Sequence, residues 1–372
     1  MWRCSHPQSA LDSPTALASC ATGDGSRAIG GNCVGMELRA MTDLRAGVVG
    51  AGFIAAAHVN AYRATPGVRL VAVADPVAGK AAELAARADA KAVSHLEQVL
   101  DSGVDVVSIC TPSPTHADLV VQALDAGAHV LCEKPIARTL QDARRVEQAS
   151  RNASGLLMIG HVSRFEPDHR RAKDLVEAGH LGDVRMLSHS TTSSMPGWSE
   201  GDWLSDEEVS GGPLVDLAVH SFDFAAWLTD SEPIRVHAVA ADTAAGPCTY
   251  ALATVRYANG AMALVETSWG HPVSYGFKLS AEVVGTEGRL SWDYDHLAGG
   301  TVHVADREVI RWEPLGDRGF RAEVRAFVDA IRAGAPSPVP ASAGVTALRT
   351  SLAARESVRN GTMVDLTTWG MP

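Results

Sequence analysis

A glycine-rich turn near the start of the first regular segment has the spacing of a dinucleotide-binding loop. Residues Gly47–Ala55 contain the pattern G-x-G-x-x-A, directly after a predicted strand and at the start of a predicted helix. Gly50 allows the tight turn, Gly52 lets the backbone approach a pyrophosphate, and Ala55 lets the helix pack against its strand. Free N–H groups at the helix start then face the phosphates.

An acidic residue follows at the position that such a loop requires. Asp75 lies about 20 residues beyond Ala55, at the end of the second predicted strand. A carboxylate there accepts hydrogen bonds from both adenosine ribose hydroxyls and repels a 2′-phosphate, which favours NAD over NADP. Lys80 and Arg87 could weaken that preference. The alternative is a domain that kept the turn and lost the ligand.

Three further polar residues suit acid–base chemistry. Asp216 and His220 are four residues apart, so on a continuous helix over Leu214–Leu228 they project from one face. A carboxylate beside an imidazole holds its orientation and favours its protonated form, and such a pair suits removal of a hydroxyl proton. Lys134 follows a predicted strand, where open α/β sheets bind ligands, and there it could stabilise a negative oxygen. The alternative for each is an ordinary surface charge.

The elements that position the first of these residues alternate along the chain. Short apolar runs alternate with amphipathic stretches, the order that builds a parallel sheet with crossover helices. The sequence thus predicts a doubly wound α/β Rossmann domain over residues 43–162. Its predicted strands are Arg45–Gly50, Arg69–Ala74, Lys91–Ser94, Val104–Cys110, Ala128–Cys132 and Leu156–Gly160, and its helices lie near Ile54–Arg63, Val77–Ala88, Leu96–Ser102, Thr115–Ala126 and Leu140–Asn152.

Residues 163–372 are predicted to form an α+β domain with a mostly antiparallel, open-faced sheet. Alternating runs and the turn Asn259–Gly260 indicate antiparallel strands with one helix-covered face. We expect the other face to pair with a second copy in a homodimer or homotetramer. The predicted strands lie near Ile234–Asp242, Tyr250–Tyr257, Ala261–Trp269, Lys278–Gly285, Arg289–Tyr294, Val302–Ala305 and Glu308–Trp312, and helices near Arg318–Ala333 and Ala341–Arg359 follow.

Three local signatures make the sequence resemble the Gfo/Idh/MocA family, named for glucose–fructose oxidoreductase and inositol dehydrogenase. The run T-P-S-P-T-H at Thr111–His116 follows the fourth strand, E-K-P at Glu133–Pro135 follows the fifth, and G-G-P-L-V-D-L-A-V-H lies at Gly211–His220. A further stretch typical of the family, F-x-x-E-x-x-x-F-x-x-x-I-x-x-G, lies at Phe320–Gly334. The resemblance covers about residues 44–366.

The resemblance implies roles for these motifs. In that family the lysine of E-K-P and the D-x-x-x-H pair form the catalytic group, which implies that Lys134, Asp216 and His220 are catalytic here. It also places Thr111, Pro112 and His116 along the nicotinamide side of the cofactor and Glu133 near its ribose, although His116 could instead cap a helix. The expected cofactor contacts are Gly50, Gly52, Phe53, Ile54, Asp75, Thr111, Pro112, His116, Glu133 and Lys134.

The expected substrate contacts lie between the two halves. Gly160–Phe165 crosses from the first domain to the second, so His161 and Arg164 are expected to face the cleft. The segment Ser190–Ser210 is expected to form a loop over it, with Trp203 facing a sugar, or else merely packed. The full expected set is Lys134, His161, Arg164, Trp203, Asp216 and His220. No metal site is predicted, because the histidines form no H-x-x-x-H pattern and no His/Cys cluster.

Composition excludes several other classes of protein. The net charge of −11 lacks the basic excess that nucleic-acid binding uses, and no apolar run has the length of a membrane-spanning helix. We therefore expect a cytoplasmic protein with neither nucleic acid nor a membrane as partner. Cys110, Cys132 and Cys248 form no close pair and are expected to be reduced and buried.

The leading residues 1–42 differ from the rest of the chain in that their apolar residues follow neither a helical nor a strand period. They are expected to be a disordered extension or the product of a start assigned too early, with Met36 or Met41 as the true start. A chain beginning at Met41 should then keep full activity.

Together these features predict an NAD-dependent dehydrogenase that acts on a secondary alcohol of a sugar or an inositol-like cyclic polyol. His220 would be the general base, Lys134 would polarise the oxygen, and Asp216 would orient His220. Two alternatives remain: an NAD-dependent glycosidase that uses transient oxidation, and a non-catalytic NAD-binding regulator.

Overall fold

Two β-sheets, each packed against helices, organise the chain. The structure, a computed structural model, describes residues 43–197, 204–293, 301–304, 310–311 and 319–371, with only the backbone described at 208, 301–304 and 310–311. All of them belong to one compact unit, Thr42–Pro372. The predicted site residue Trp203 lies outside the described residues.

The first sheet has six parallel strands in the order β3-β2-β1-β4-β5-β6. Its central strands consist mostly of buried apolar residues, because helices cover both faces of the sheet. This order confirms the predicted doubly wound fold and brings the carboxyl ends of β1 and β4 together at a switch point, where such sheets bind ligands. The strands are β1 Leu44–Val49, β2 Val68–Ala74, β3 Lys91–Val93, β4 Val106–Ile109, β5 His129–Glu133 and β6 Leu157–Gly160, and the helices are α1 Phe53–Arg63, α2 Ala78–Ala86, α3 Leu96–Leu100, α4 His116–Asp125 and α5 Leu140–Asn152.

The second sheet, within the described ranges, has nine strands in the order β14-β13-β12-β11-β7-β10-β9-β8-β15. Its paired strands are antiparallel except for β7 and β10, which run parallel. The predicted mostly antiparallel sheet is therefore confirmed, including the turn at Asn259–Gly260. Its strands are β7 Val184–Ser194, β8 Pro233–Thr243, β9 Gly246–Tyr257, β10 Met262–His271, β11 Lys278–Gly285, β12 Gly288–Asp293, β13 Thr301–Val304, β14 Ile310–Arg311 and β15 Val364–Asp365.

The prediction missed the central strand β7 and the preceding helix α6, Pro167–Glu177. The inward side of β7 carries His189 and Thr191, which are buried although polar. Polar residues at inward positions hide the period-two pattern on which strand prediction depends. The expected loop at Ser190–Ser210 is therefore wrong at its start, which is strand up to Ser194, and its end forms a short helix α7, Glu207–Ser210.

The expected continuous helix over Leu214–Leu228 is also wrong. Two helices, α8 Gly212–Asp216 and α9 Ala218–Thr229, meet at Leu217. The carbonyl of Asp216 accepts a hydrogen bond from Lys134 Nζ at 2.7 Å, whereas the N–H of His220 donates to Leu217 O at 3.3 Å. The helical ladder is interrupted because a side chain takes the carbonyl that would otherwise continue it.

The last two long helices return to the first sheet. Helix α10, Phe320–Ala333, and helix α11, Ala341–Asn360, bury residues such as Phe327 and Leu348 in the same core as the parallel strands. Ile159 N in β6 also donates to Val339 O at 3.0 Å. The C-terminal helices thus support both sheets.

Two further predictions from the sequence concern membrane-spanning helices and the burial of the cysteines. None of the helices in the described ranges combines the length and apolarity needed to cross a bilayer. Cys132 is buried, and Cys110 is half-buried as a residue but has a buried thiol group, whereas Cys248 is only half-buried, so the expectation of burial is wrong for Cys248. All three thiols are free.

The two glycines of the nucleotide loop have different structural reasons. Gly50 has φ +95°, and a Cβ there would lie 2.5 Å from the carbonyl oxygen of Cys110. Gly52 precedes the first turn of α1, which has no side-chain cap, and a Cβ there would meet no atom within 4 Å. Gly50 is thus required by the fold, whereas the space beside Gly52 is open to a ligand.

Alanine at the two positions should separate these requirements. We expect Gly50→Ala to lower the free energy of unfolding by about 1–3 kcal/mol, because it adds backbone strain and a clash. For Gly52→Ala, the free energy of unfolding should stay within about 1 kcal/mol of the wild-type value. The variant should bind NAD more weakly, since the added methyl group occupies the open space. Urea unfolding and NAD titration measure the two effects. Unchanged NAD affinity in Gly52→Ala would contradict the assignment of this loop.

Candidate active site

Lys134 and Asp216, 82 residues apart in the chain, are joined at the carboxyl edge of the first sheet. Lys134 follows β5 directly, and its Nζ donates to Asp216 O at 2.7 Å and to Asp216 Oδ1 at 3.0 Å. The two side chains are 16% and 13% exposed, so the pair is shielded from water but reachable from the surface. The structure thus brings the E-K-P and D-x-x-x-H motifs into one site.

His220 lies four residues beyond Asp216, in the first turn of α9. Burial lowers the pKa of its imidazole well below the usual value, and the positive charge of Lys134 and the nearby His161 lower it further. The expectation that a neighbouring carboxylate would favour the protonated form is wrong, because the Asp216 carboxylate bonds Lys134 instead. The neutral imidazole can accept a proton.

His161 lies beside His220, at the crossing between the two sheets. Its ring is edge-on to the His220 ring, with the centroids 6.2 Å apart, and its side chain is fully buried. Neither ring nitrogen has a hydrogen-bond partner among the described residues, and Nε2 lies 3.8 Å from Asp223 Oδ1. Burial lowers the pKa of His161, although Asp223 opposes the shift. This site therefore contains two neutral imidazoles side by side.

Arg164 forms a buried ion pair with Asp223. The guanidinium donates through Nε and Nη2 to the two carboxylate oxygens of Asp223, both at 2.7 Å. Asp223 is 1% exposed and lies on α9 three residues beyond His220. Two nitrogens of Arg164 thus fix α9 against the crossing segment, and its contact with substrate stays a prediction.

At the carboxyl edge of the first sheet, the Asp75 carboxylate accepts a hydrogen bond from the glycine-rich loop. Its Oδ2 accepts from the N–H of Ala51 at 2.9 Å, and its Oδ1 accepts from the N–H of Val77 at 2.8 Å. Phe53, at the start of α1, is 62% exposed, and Ile54 beside it is half-buried. The carboxylate therefore shapes the glycine turn and keeps lone pairs for a ribose.

His116 connects the two loops that follow β4 and β5. It is buried, and its Nδ1 lies 2.8 Å from Pro135 O while its Nε2 lies 2.8 Å from Thr111 O. Both nitrogens face backbone carbonyls, so the ring holds the loops together rather than capping α4, whose N-cap is Thr115. Pro112 is exposed and Thr111 half-buried, and their contacts with a nicotinamide stay predictions.

Glu133 turns its carboxylate into the protein. Its Oε1 accepts from His58 Nε2 at 2.9 Å, and its Oε2 accepts from the N–H of Lys134 at 3.2 Å. Burial opposes ionisation, but the His58 hydrogen bond and the charge of Lys134 outweigh it and keep the pKa of Glu133 below its usual value. The expected contact of Glu133 with a ribose stays a prediction.

Sequence reasoning missed three residues around this site. Asp223 could have been found as an acid one turn after His220 on the same helix face, and His58 as a polar residue on the buried face of α1. Glu323 stood in the C-terminal motif without an assigned role, and no sequence signal tells that it lies next to Glu133.

The residues present fit a bound dinucleotide. The open space at Gly52 and the uncapped start of α1 can take a pyrophosphate, and Asp75 lies beside the turn where the adenosine ribose binds in such folds. Lys134 and His220 then lie at the same sheet edge, on the side where β4 and β5 end. The arrangement combines a cofactor cradle with a cation and a neutral base.

Comparison with known proteins gives consistent matches. A family model described as "Oxidoreductase family, NAD-binding Rossmann fold" matches residues 44–161, and the GFO/IDH/MocA C-terminal domain model matches residues 169–291. An inositol 2-dehydrogenase of Rhizobium meliloti is 30% identical over 330 residues, covering 85% of this chain and 97% of that one.

Solved structures are similar over nearly the whole described chain. GenD2 from gentamicin A biosynthesis in complex with NAD has 27% identity and a TM-score of 0.76, covering 87% of this chain and 96% of its own. Levoglucosan dehydrogenase in complex with NADH has 25% identity and a TM-score of 0.79, covering 87% of this chain and 99% of its own. Because the two family models together match well over half of the chain, the chain belongs to the Gfo/Idh/MocA family of oxidoreductases.

Proposed function

We propose that this oxidoreductase is a cytoplasmic, NAD-dependent dehydrogenase of a secondary alcohol on a sugar or an inositol-like cyclic polyol. The observation that carries the proposal is the Lys134–Asp216 pair at the carboxyl edge of the cofactor sheet, beside the neutral imidazole of His220. A cation and a neutral base at one place are what the removal of a hydroxyl proton needs.

Each residue has a part in this chemistry. His220, neutral at physiological pH, takes the proton from the substrate hydroxyl. Lys134 hydrogen-bonds the same oxygen and stabilises the negative charge that develops on it. Asp216 holds the Lys134 ammonium in place through its carbonyl and its carboxylate, a role that differs from the expected orientation of His220. NAD, when bound, supplies the acceptor for the hydride that leaves the carbinol carbon.

The preference for NAD over NADP rests on Asp75. Its carboxylate already lies against the glycine turn through Ala51, so a 2′-phosphate would have to approach a fixed negative charge. The structures of GenD2 with NAD and of levoglucosan dehydrogenase with NADH support the same choice. Assays with NAD and NADP in parallel measure it.

The substrate class follows from the relatives and from the polarity of the site. The inositol 2-dehydrogenase and levoglucosan dehydrogenase that resemble this chain are named for a cyclic polyol and an anhydrosugar. An NAD-dependent glycosidase would release a sugar without net NADH, and a non-catalytic regulator would form none. NADH accumulation in stoichiometric amounts therefore separates the dehydrogenase from both alternatives.

Substitutions at the site test the proposal directly. We expect NADH formation from a panel of inositols, aldoses and anhydrosugars, and a loss of about 10²- to 10⁴-fold in kcat/KM with Lys134→Met or His220→Ala. Lys91→Met and His237→Ala, which change exposed residues of the same types, should keep wild-type rates. Full activity in both site variants would contradict the assignment.

The pH profile of the same oxidation reports on His220. Since burial lowers its pKa, the imidazole stays in the base form as pH falls through the ordinary histidine pKa of about 6.5. The acid limb of kcat/KM should therefore lie below that value and be absent in the residual rate of His220→Ala. An acid limb at or above the ordinary value would contradict a neutral, buried base.

We also propose that the open face of the second sheet pairs with a second copy of the chain. Val239, Leu252, Met262 and Leu264 are large apolar side chains on neighbouring strands β8, β9 and β10, each 36–51% exposed. Sedimentation equilibrium should give a mass of two or four chains, and the double change Leu252→Glu with Leu264→Glu should reduce it. A monomeric wild type would contradict the pairing.

A further inference from the structure

A fully buried acid lies behind the loop that carries Lys134. Glu323 of α10, Glu133 after β5 and His58 of α1 each bring one nitrogen or oxygen atom into a cluster, and these atoms all lie within 4.8 Å of one another. Glu323 and His58 are 0% exposed and Glu133 is 6% exposed. Neither carboxyl oxygen of Glu323 has a hydrogen-bond partner among the described residues.

Glu133 has two hydrogen-bond donors in this cluster, whereas Glu323 has none among the described residues. Glu133 accepts from His58 Nε2 at 2.9 Å and from the backbone N–H of Lys134 at 3.2 Å. His58 Nδ1 lies 3.0 Å from Ser108 Oγ, which lies 2.8 Å from the hydroxyl of Tyr62. With Ser108 Oγ facing Nδ1, the opposite ring nitrogen Nε2 donates to Glu133. The ionised form of Glu133 is thus stabilised, and that of Glu323 is not.

Two carboxylates this close, both buried, repel each other too strongly to be ionised together. One proton removes the repulsion, and the hydrogen bonds to Glu133 direct that proton to Glu323. Burial and the charges of Glu133 and Glu166 raise the pKa of Glu323 well above its usual value. One oxygen of each carboxyl group lies within 4.8 Å of the other, a span that a single water can bridge.

Three further titratable groups among the described residues interact electrostatically with Glu323. They are Tyr62 of α1, Cys110 at the end of β4 and Glu166 in the segment between the two sheets. Burial raises the pKa of the Tyr62 hydroxyl and of the Cys110 thiol, so both stay uncharged at neutral pH. A neutral carboxylic acid is the form of Glu323 that these surroundings accept.

We propose that Glu323 is a positioning residue for Lys134, held as a neutral carboxylic acid whose O–H faces the Glu133 carboxylate. Through one bridging water it fixes Glu133, whose Oε2 accepts from the backbone N–H of Lys134, and so keeps Nζ in reach of Asp216. The start of α10 lies close to the segment between the two sheets, since a Cβ at Gly319 would lie 2.8 Å from Val162 O. What Lys134 does for the reaction rests on the proposed function; the protonation of Glu323 does not.

The competing arrangement is a divalent cation held by the same three side chains. A cation would require Glu323 in its ionised form, whereas the proposed arrangement requires its proton. The two therefore make opposite predictions for glutamine, which has the shape of glutamic acid and donates hydrogen bonds but cannot ionise. Leucine, similar in size but unable to hydrogen-bond, removes both.

The first readout is the infrared carbonyl band of a protonated carboxyl group in the full-length protein at neutral pH. We expect the band in the wild type and in the matched control Glu166→Gln, and its loss in Glu323→Gln. A wild type without the band, or a band that persists in Glu323→Gln, would overturn the proposal. This readout needs no substrate, so it stands even where the wild type oxidises no sugar and the proposed function fails.

The second readout is the split between kcat and KM. Glu323→Leu should lower kcat by roughly 10- to 100-fold through misplacement of Lys134, with KM for NAD within about twofold of wild type. Glu323→Gln should restore most of the lost kcat. Loss of activity in Glu323→Gln equal to that in Glu323→Leu, full activity in Glu323→Leu, or a wild-type activity that EDTA removes and a divalent metal restores would each overturn the proposal. Where Glu323→Leu fails to fold, Glu323→Gln and the infrared band decide.

Discussion

The bond between the Lys134 ammonium and Asp216 is the constraint on which the rest of the site depends. It joins a residue at the end of a strand in the parallel sheet to a residue at the end of a short helix that packs against the second sheet. The bond to the Asp216 carbonyl also interrupts the helical ladder there, so α9 starts afresh and carries His220 and Asp223 to the same place. Through these bonds, Lys134 sets the position of His220 and of Asp223 relative to the parallel sheet.

Burial and local hydrogen bonds determine the charge states of the other titratable groups near this pair. His220 and His161 lie side by side, and burial holds both neutral, whereas Asp223 is neutralised by the guanidinium of Arg164. Behind Lys134, the hydrogen bond from His58 stabilises the ionised form of Glu133. Glu323 is the neutral carboxylic acid of the proposed arrangement. Lys134 places a positive charge next to the neutral imidazole of His220, and a positive charge next to a neutral base favours an alkoxide-like oxygen.

The fold was predictable where local pattern and topology agree. Continuous apolar runs gave the parallel strands, and the glycine turn with Asp75 gave the cofactor edge, because each of these signals lies within a few residues. The family motifs likewise brought Lys134, Asp216 and His220 together. Strand β7 was not predictable, since His189 and Thr191 occupy its inward positions and break the alternation of apolar residues.

The finer geometry depends on contacts between distant segments, which no local pattern carries. Asp216 bonds Lys134 rather than His220, and the helix breaks there, because a side chain 82 residues away takes its carbonyl. Arg164 reads in the sequence as a free cation beside the cleft, yet its partner Asp223 lies 59 residues further along. Glu323 meets Glu133 only because α10 returns to the first sheet.

In the proposed reaction, the Lys134–Asp216–His220 site removes a hydride and a proton from one carbinol group. Deuterium placed on the carbinol carbon of the sugar or polyol that gives the fastest NADH formation follows the hydride. We expect the deuterium to appear on the nicotinamide ring of the reduced cofactor, one atom for each ketone formed, and labelling to slow the single-turnover step. Reduced cofactor without deuterium, or a sugar released by hydrolysis with no net reduced cofactor, would contradict this reaction.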